Sequence, residues 1–123
     1  MAACPVVHFE FWSKDAAKCA DFYKQVFDWD INFYPEMNDY HLVNAAPPGI
    51  GGGIMTPKQG EWPAAMTMYI SVDDLKTYCD KIKAAGGQII VDNMEIPDVG
   101  WLSLFKDPDG RVIGLWKQGP GPK

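Results

Sequence analysis

Hydrophobic and polar positions alternate from Val6 to Trp12. Val7, Phe9 and Phe11 fall on one face; His8, Glu10 and Trp12 fall on the other. The period then changes. Ala16, Cys19, Ala20, Tyr23, Val26 and Phe27 recur at helical spacing, which predicts an amphipathic helix running to about Asp28, with Ser13 or Asp15 as its cap. Its apolar stripe needs a partner, and the apolar face of a sheet supplies one. Three short strands are expected at about 31–34, 40–43 and 52–55, broken by Pro35, Asn38-Asp39 and Pro47-Pro48-Gly49. The stretch from Pro57 to Pro63 reads as a linker.

The pattern restarts at Met66. Residues 66–72 alternate, and Asp73-Asp74 opens a second helix with the stripe Leu75, Tyr78, Cys79, Ile82 and Ala85. Gly86-Gly87 ends it. Strands are expected at 88–91, 101–105 and 112–116, the last two joined by the turn Asp107-Pro108-Asp109-Gly110. An offset of 59 residues carries Asp15 onto Asp74, His8 onto Thr67 and Tyr23 onto Ile82. The expected fold is therefore α+β: two βαβββ units with curved mixed sheets around a concave trough and helices on the outer face. Unit one covers about 5–56, the linker 57–65 and unit two 66–118, all within a single domain.

Composition narrows the function classes. A chain of 123 residues, 47% hydrophobic, can bury a core, and 22% charge is ordinary for a water-soluble domain. A net charge of −5 with no Lys/Arg cluster argues against nucleic acid and anionic membrane surfaces, whose affinity comes from neutralised phosphates. No apolar run approaches the roughly 20 residues that span a bilayer, and the first residues lack a signal-peptide pattern. Cys4, Cys19 and Cys79 are odd in number and form no CxxC pair, so free thiols and a cytoplasmic location are expected.

Several residues are candidates for chemistry. His8 and Glu10 are polar on an otherwise apolar strand. They suit a proton donor or acceptor with a second polar hook beside it, or else a structural pair. Thr67, Tyr69 and Ser71 hold the matching face of the second unit, where hydroxyls bond a small ligand or neighbouring strands. His41 reads as surface or structural. Trp12, Trp29, Trp62, Trp101 and Trp116 make the chain rich in tryptophan. Trp29 is expected to pack under the first helix. If the leucines of the last two strands face the helix, Trp101, Phe105 and Trp116 line the trough, either as an aromatic wall for a planar molecule or as a filler or dimer contact. Gly51-Gly52-Gly53 lacks the lysine and strand-to-helix context of a phosphate loop and reads as a close-packed strand.

Taken in order, His8-Phe9-Glu10, Asp15, Phe22-Tyr23, Val26-Phe27-Asp28-Trp29, Val72-Asp73-Asp74-Leu75, Lys83-Ala84-Ala85-Gly86-Gly87 and Asp107-Pro108-Asp109-Gly110 resemble the vicinal-oxygen-chelate superfamily, which includes glyoxalases, bleomycin-resistance proteins and extradiol dioxygenases. Gly51–Met55 and Ile96-Pro97-Asp98-Val99-Gly100 are similar to a glyoxalase-like subgroup. The resemblance implies the duplicated fold, a homodimer and, in many members, a divalent ion acting as a Lewis acid on two substrate oxygens. It places one metal ligand at His8, fifteen residues before Tyr23. The second ligand position is Thr67, five before Val72; the third is Gly114, seven after Asp107. The end of the first unit, Gly53-Ile54-Met55, adds no carboxylate. Only His8 survives of that set, so the expected site has no cofactor and disfavours a metal. Three readings stay open. One is small-molecule binding through His8, Glu10, Trp12, Thr67, Tyr69, Trp101, Phe105 and Trp116. Another is a lyase, isomerase or dioxygenase-type enzyme using His8 and Glu10 or an unrecognised metal site. The last is a protein-interaction module.

Overall fold

The computed structural model describes residues 3–58 and 65–120. The element order is β1 (Val6–Trp12), α1 (Ala16–Phe27), β2 (Asp30–Tyr34), a short 3-10 turn (Pro35–Met37), β3 (Tyr40–Asn44), β4 (Gly52–Met55), β5 (Met66–Ser71), α2 (Leu75–Ala84), β6 (Gln88–Ile96), β7 (Gly100–Lys106) and β8 (Val112–Gln118). This is the expected strand–helix–three-strand unit, twice. The expected linker at 57–65 falls mostly outside the described residues, as does Trp62. Two compact units result: one spans Val7–Thr67, and the other runs from Met68 onward and includes the residues before Val7.

In the N-terminal unit the strands lie in the order β2-β3-β4-β1. β2 with β3 and β3 with β4 are antiparallel; β1 with β4 is parallel. Asp15 caps α1 by accepting from the Lys18 backbone N–H at 3.1 Å, and Asp28 closes the helix in the left-handed conformation. The helix lays Ala16 and Ala20 on Ile31, Val43 and Ile54, with Phe9, Phe11, Tyr23 and Trp29 packed around them. Tyr23 and Trp29 stack at 4.7 Å, as the position of Trp29 after the helix led one to expect.

The C-terminal unit repeats the plan as β5-β8-β7-β6, with β5 and β8 parallel. Asp74 caps α2 through the Thr77 N–H, and Gly86 takes a positive φ just beyond the helix. β6 is longer than its sequence pattern predicts. Two register shifts, between Ile89 and Val91 and between Val91 and Met94, interrupt its alternation and hide the strand. At the β7–β8 turn, Asp107 accepts from the backbone N–H groups of Asp109 and Arg111 and pairs with the Arg111 guanidinium, which confirms a structural role for that segment.

The register corrects one expectation. Ser103 lies opposite Leu115 and Leu102 opposite Trp116, so Leu115 shares a face with Trp101 and Phe105. That face meets α2: Val72, Leu75, Cys79 and Leu115 form the core there, with Trp101 and Phe105 packed against it. Leu102 and Leu104 instead share the helix-free face with Trp116. Trp101 and Phe105 therefore do not line that face; the leucines of β7 and β8 point in opposite directions.

Ile54 has no solvent exposure and sits at the centre of the N-terminal core. Ile54→Ala is expected to cost about 2–5 kcal/mol, read as a lower urea midpoint at unchanged slope. A loss no larger than that of the exposed Phe22→Ala would contradict this core assignment.

Candidate functional site

The alternation of β1 commits its two faces to different chemistry. Phe9 and Phe11 enter the α1 core, so His8, Glu10 and Trp12 must lie on the helix-free face. Glu10 is opposite Gly53 in β4, and Gly53 is opposite Leu42 in β3, which brings Tyr40 and Leu42 onto the same face. A carboxylate is thereby placed in the middle of strand β1 on the helix-free face, where Glu10 is only 4% exposed.

Such a group is tolerated only with hydrogen-bond donors around it. Trp12, two residues along the same strand, donates its indole Nε1–H to Glu10 Oε2 at 2.6 Å. Tyr40 donates its hydroxyl to Glu10 Oε1 at 2.8 Å. The Tyr40 oxygen also lies 2.8 Å from His8 Nε2. A phenol has one proton, and here it points to Glu10. With the phenol proton given to Glu10, the His8 contact calls for an Nε2–H donating to the Tyr40 oxygen. His8 and Glu10 are joined through Tyr40, and the donors converge on the carboxylate.

Gly53 makes this possible. A Cβ at that position would overlap the Tyr40 hydroxyl and ring, so Tyr40 can reach across β4 only because residue 53 has no side chain. Gly52 likewise admits the Phe9 ring on the other face. The glycine run is thus the close-packed strand expected of it, and what it admits is aromatic rings.

Burial pushes the His8 imidazole down from 6.5 to about 4. It is therefore neutral at physiological pH. His41 lies on the α1 side, with its ring 4.7 Å from Phe33. Its pKa is lowered, first by burial and then by the nearby Lys24 ammonium. It has no place in the Glu10 cluster, consistent with a structural role.

The other expected site residues lie on the helix-free face of β5 and β8. Thr67 and Tyr69 are buried on β5. Tyr69 is opposite Gly114, and a Cβ at Gly114 would overlap its ring. Trp116 is half-buried and donates its Nε1–H to Gln118 at 2.9 Å. The expected set thus divides: His8, Glu10 and Trp12 come together, Thr67, Tyr69 and Trp116 share a face of the second repeat, and Trp101 and Phe105 leave it. Tyr40 was not singled out by the sequence reading. The signal for it was the pairing of a tyrosine in β3 with a glycine run in β4, which needs the strand register to be read.

The donors do not fit a divalent site. Of the positions that the resemblance assigns to ligands, Thr67 and Gly114 offer no imidazole or carboxylate, and His8 is engaged with Tyr40. Among the described residues no three His, Cys, Asp or Glu side chains gather into a group that would hold an ion.

Comparison with known proteins places this geometry in a family. The model of the glyoxalase/bleomycin resistance protein/dioxygenase superfamily matches residues 6–115. The anthracycline biosynthesis protein DnrV of Streptomyces peucetius is 28% identical over 131 aligned positions, covering 90% of this chain and 46% of that protein. The putative glyoxylase CFP32 of Mycobacterium tuberculosis (strain CDC 1551 / Oshkosh) is 28% identical over 116, covering 84% and 41%. The chain spans less than half the length of these relatives. Among solved structures, methylmalonyl-CoA epimerase from M. tuberculosis superposes with a TM-score of 0.71 at 14% identity, covering 98% of this chain and 93% of that one. A superfamily member from Vibrio splendidus 12B01 gives 0.65 at 14%, covering 94% and 100%. At these identities the structural likeness speaks for the fold. No helix among the described residues is long and apolar enough to cross a membrane.

The depressed His8 pKa has a signed consequence. Between pH 6.5 and about 4 the unfolded chain binds a proton that the folded chain refuses. The stabilisation is complete above pH 6.5 and is lost as pH falls toward 4, by on the order of 3 kcal/mol. His8→Gln is expected to flatten this part of the stability–pH curve measured by urea denaturation. A variant curve parallel to that of the wild type would show that His8 is not held neutral.

Proposed function

The chain belongs to the glyoxalase/bleomycin resistance protein/dioxygenase superfamily, and from that footing we propose that it binds a small organic molecule against the helix-free face of β1, β3 and β4, without the divalent ion many of its relatives use. The observation that carries this reading is the Glu10 cluster. Apolar side chains would fill a buried position in β1 at lower cost than a carboxylate that needs donors from two strands. His8 and Tyr40 are the half-buried outer members of that cluster, placed to meet a ligand, while Glu10 and Trp12 lie behind them. Thr67, Tyr69 and Trp116 provide a second helix-free face of similar character.

A second reading is favoured by one feature. His8, Tyr40 and Glu10 form an unbroken hydrogen-bonded path. Such a path can move a proton between a ligand and the carboxylate, as a lyase or isomerase requires. The naming of one relative as a putative glyoxylase accords with it. The naming of another as an anthracycline biosynthesis protein accords with a ligand that is a small organic molecule. Both names belong to proteins more than twice as long.

A thermal-shift screen of small aromatic and carbonyl compounds, followed by ligand-observed NMR, is expected to yield binders. Their affinity should fall at least tenfold, about 1.4 kcal/mol, in a folded His8→Ala variant. Binders indifferent to that substitution would move the site elsewhere. Protein grown with iron, zinc, nickel and manganese is expected to carry far less than one ion per chain by plasma mass spectrometry. A stoichiometric ion lost in His8→Ala would overturn the metal-free reading.

A further inference from the structure

We propose that the outer face of α1 is a self-association surface, on which a second copy of this chain lays its own α1 antiparallel about a two-fold axis. This goes beyond the ligand-binding reading and does not depend on it.

One face of α1 is committed to the core through Ala16 and Ala20. The opposite face of a surface helix is ordinarily polar. Here Phe22, Val26 and Phe27 are 55%, 55% and 57% exposed. They form one patch: Phe22 meets the Tyr23 ring edge-on at 5.1 Å, and Tyr23 meets Phe27 at 6.1 Å. The corresponding helix of the other repeat, α2, exposes no large apolar side chain. A phenylalanine carries roughly 200 Å² of buriable surface, so the patch presents on the order of 300 Å². That matches the largest apolar patch of an ordinary soluble domain, which commonly serves an interface.

The charges around the patch select a second copy as its occupant. Lys18, Phe22 and Val26 follow at i, i+4 and i+8, so they lie in one row along the helix. Lys14 and Lys18 stand at the N-terminal end of α1, and Asp28 stands at its C-terminal end. Among the described residues none of these three enters an ion pair. Their signs oppose the dipole of their own helix, whose N-terminus favours anions and whose C-terminus favours cations. The residues of the right sign are engaged elsewhere: Asp15 caps the backbone, and Lys24 acts on His41.

A row with its cations at one end and its anion at the other is complementary to itself reversed. Two α1 helices crossed antiparallel at Phe22 stack the exposed apolar side chains. Lys18 of each copy then approaches Asp28 of the other, and each charge comes beside a helix end of favourable sign. The two-fold axis makes both ends equivalent. Two such patches fall short of the roughly 1,200 Å² at which standard stable interfaces begin, so the dimer is weak and depends on concentration.

Sedimentation equilibrium from micromolar to millimolar protein at low salt tests this. The mass should rise from the 13.7 kDa of one chain toward twice that value. Val26→Glu should weaken association at least tenfold with an unchanged far-UV circular dichroism spectrum. Lys18→Glu should weaken it comparably at low salt, and adding Asp28→Asn should recover part of the loss, which a purely apolar contact would not do. A glutamate in the first turn suits the helix dipole, so Lys18→Glu keeps the test decisive if Val26→Glu fails to fold. A monomer at every concentration would overturn the inference. So would a dimer that Lys18→Glu leaves intact, because it would form through another surface, and so would a Lys18→Glu loss that Asp28→Asn does not relieve.

Discussion

One carboxylate dictates much of the local architecture of the N-terminal unit. Glu10 occupies the middle of a strand whose other face is committed to a hydrophobic core, so it cannot turn away from the sheet. Its two oxygens need donors. Trp12, two residues along the same face of β1, supplies one through its indole. The other must come from a neighbouring strand, and a tyrosine reaching over β4 supplies it only because residue 53 is glycine. With the Tyr40 proton on Glu10, its oxygen is left to accept from His8 Nε2–H. Four side chains and one missing side chain form a single unit of structure, and removing one member leaves another without its partner.

The duplication shows the same geometric solution with different chemistry. The 59-residue offset takes Glu10 to Tyr69, and each faces a glycine in the parallel strand beside it, Gly53 in one repeat and Gly114 in the other. In the second repeat the Tyr69 ring itself lies over the glycine. Gly114 is also where the resemblance expects a metal-binding glutamate. A side chain there would collide with that ring, so a ligand at 114 and the Tyr69 ring in this position exclude one another.

Much of this was legible in the sequence, because periodicity reports which residues share a face. The faces of β1, the two capped helices and the turn at Asp107–Gly110 follow from alternation, spacing and turn chemistry. Alternation gives relative orientation only. It could not say whether Leu102 or Trp101 faces α2; the pairing of Ser103 with Leu115 decides that. The length of β6 was hidden by its bulges, and Tyr40 by the fact that its role depends on residues 30 and 13 positions away in sequence. The cysteines are free thiols, as their odd number and spacing lead one to expect: Cys79 is buried in the α2 core, and Cys4 donates its thiol to the Tyr78 hydroxyl at 3.3 Å.

The Glu10 cluster should hold His8 as a neutral imidazole with its proton on Nε2. Nitrogen-15 NMR of the imidazole, followed from pH 7.5 to pH 3.5, measures this directly. One neutral tautomer, protonated at Nε2, is expected to persist through pH 6 and to titrate near 4. An imidazole that exchanges between tautomers and titrates near 6.5, as an unconstrained histidine does, would contradict it.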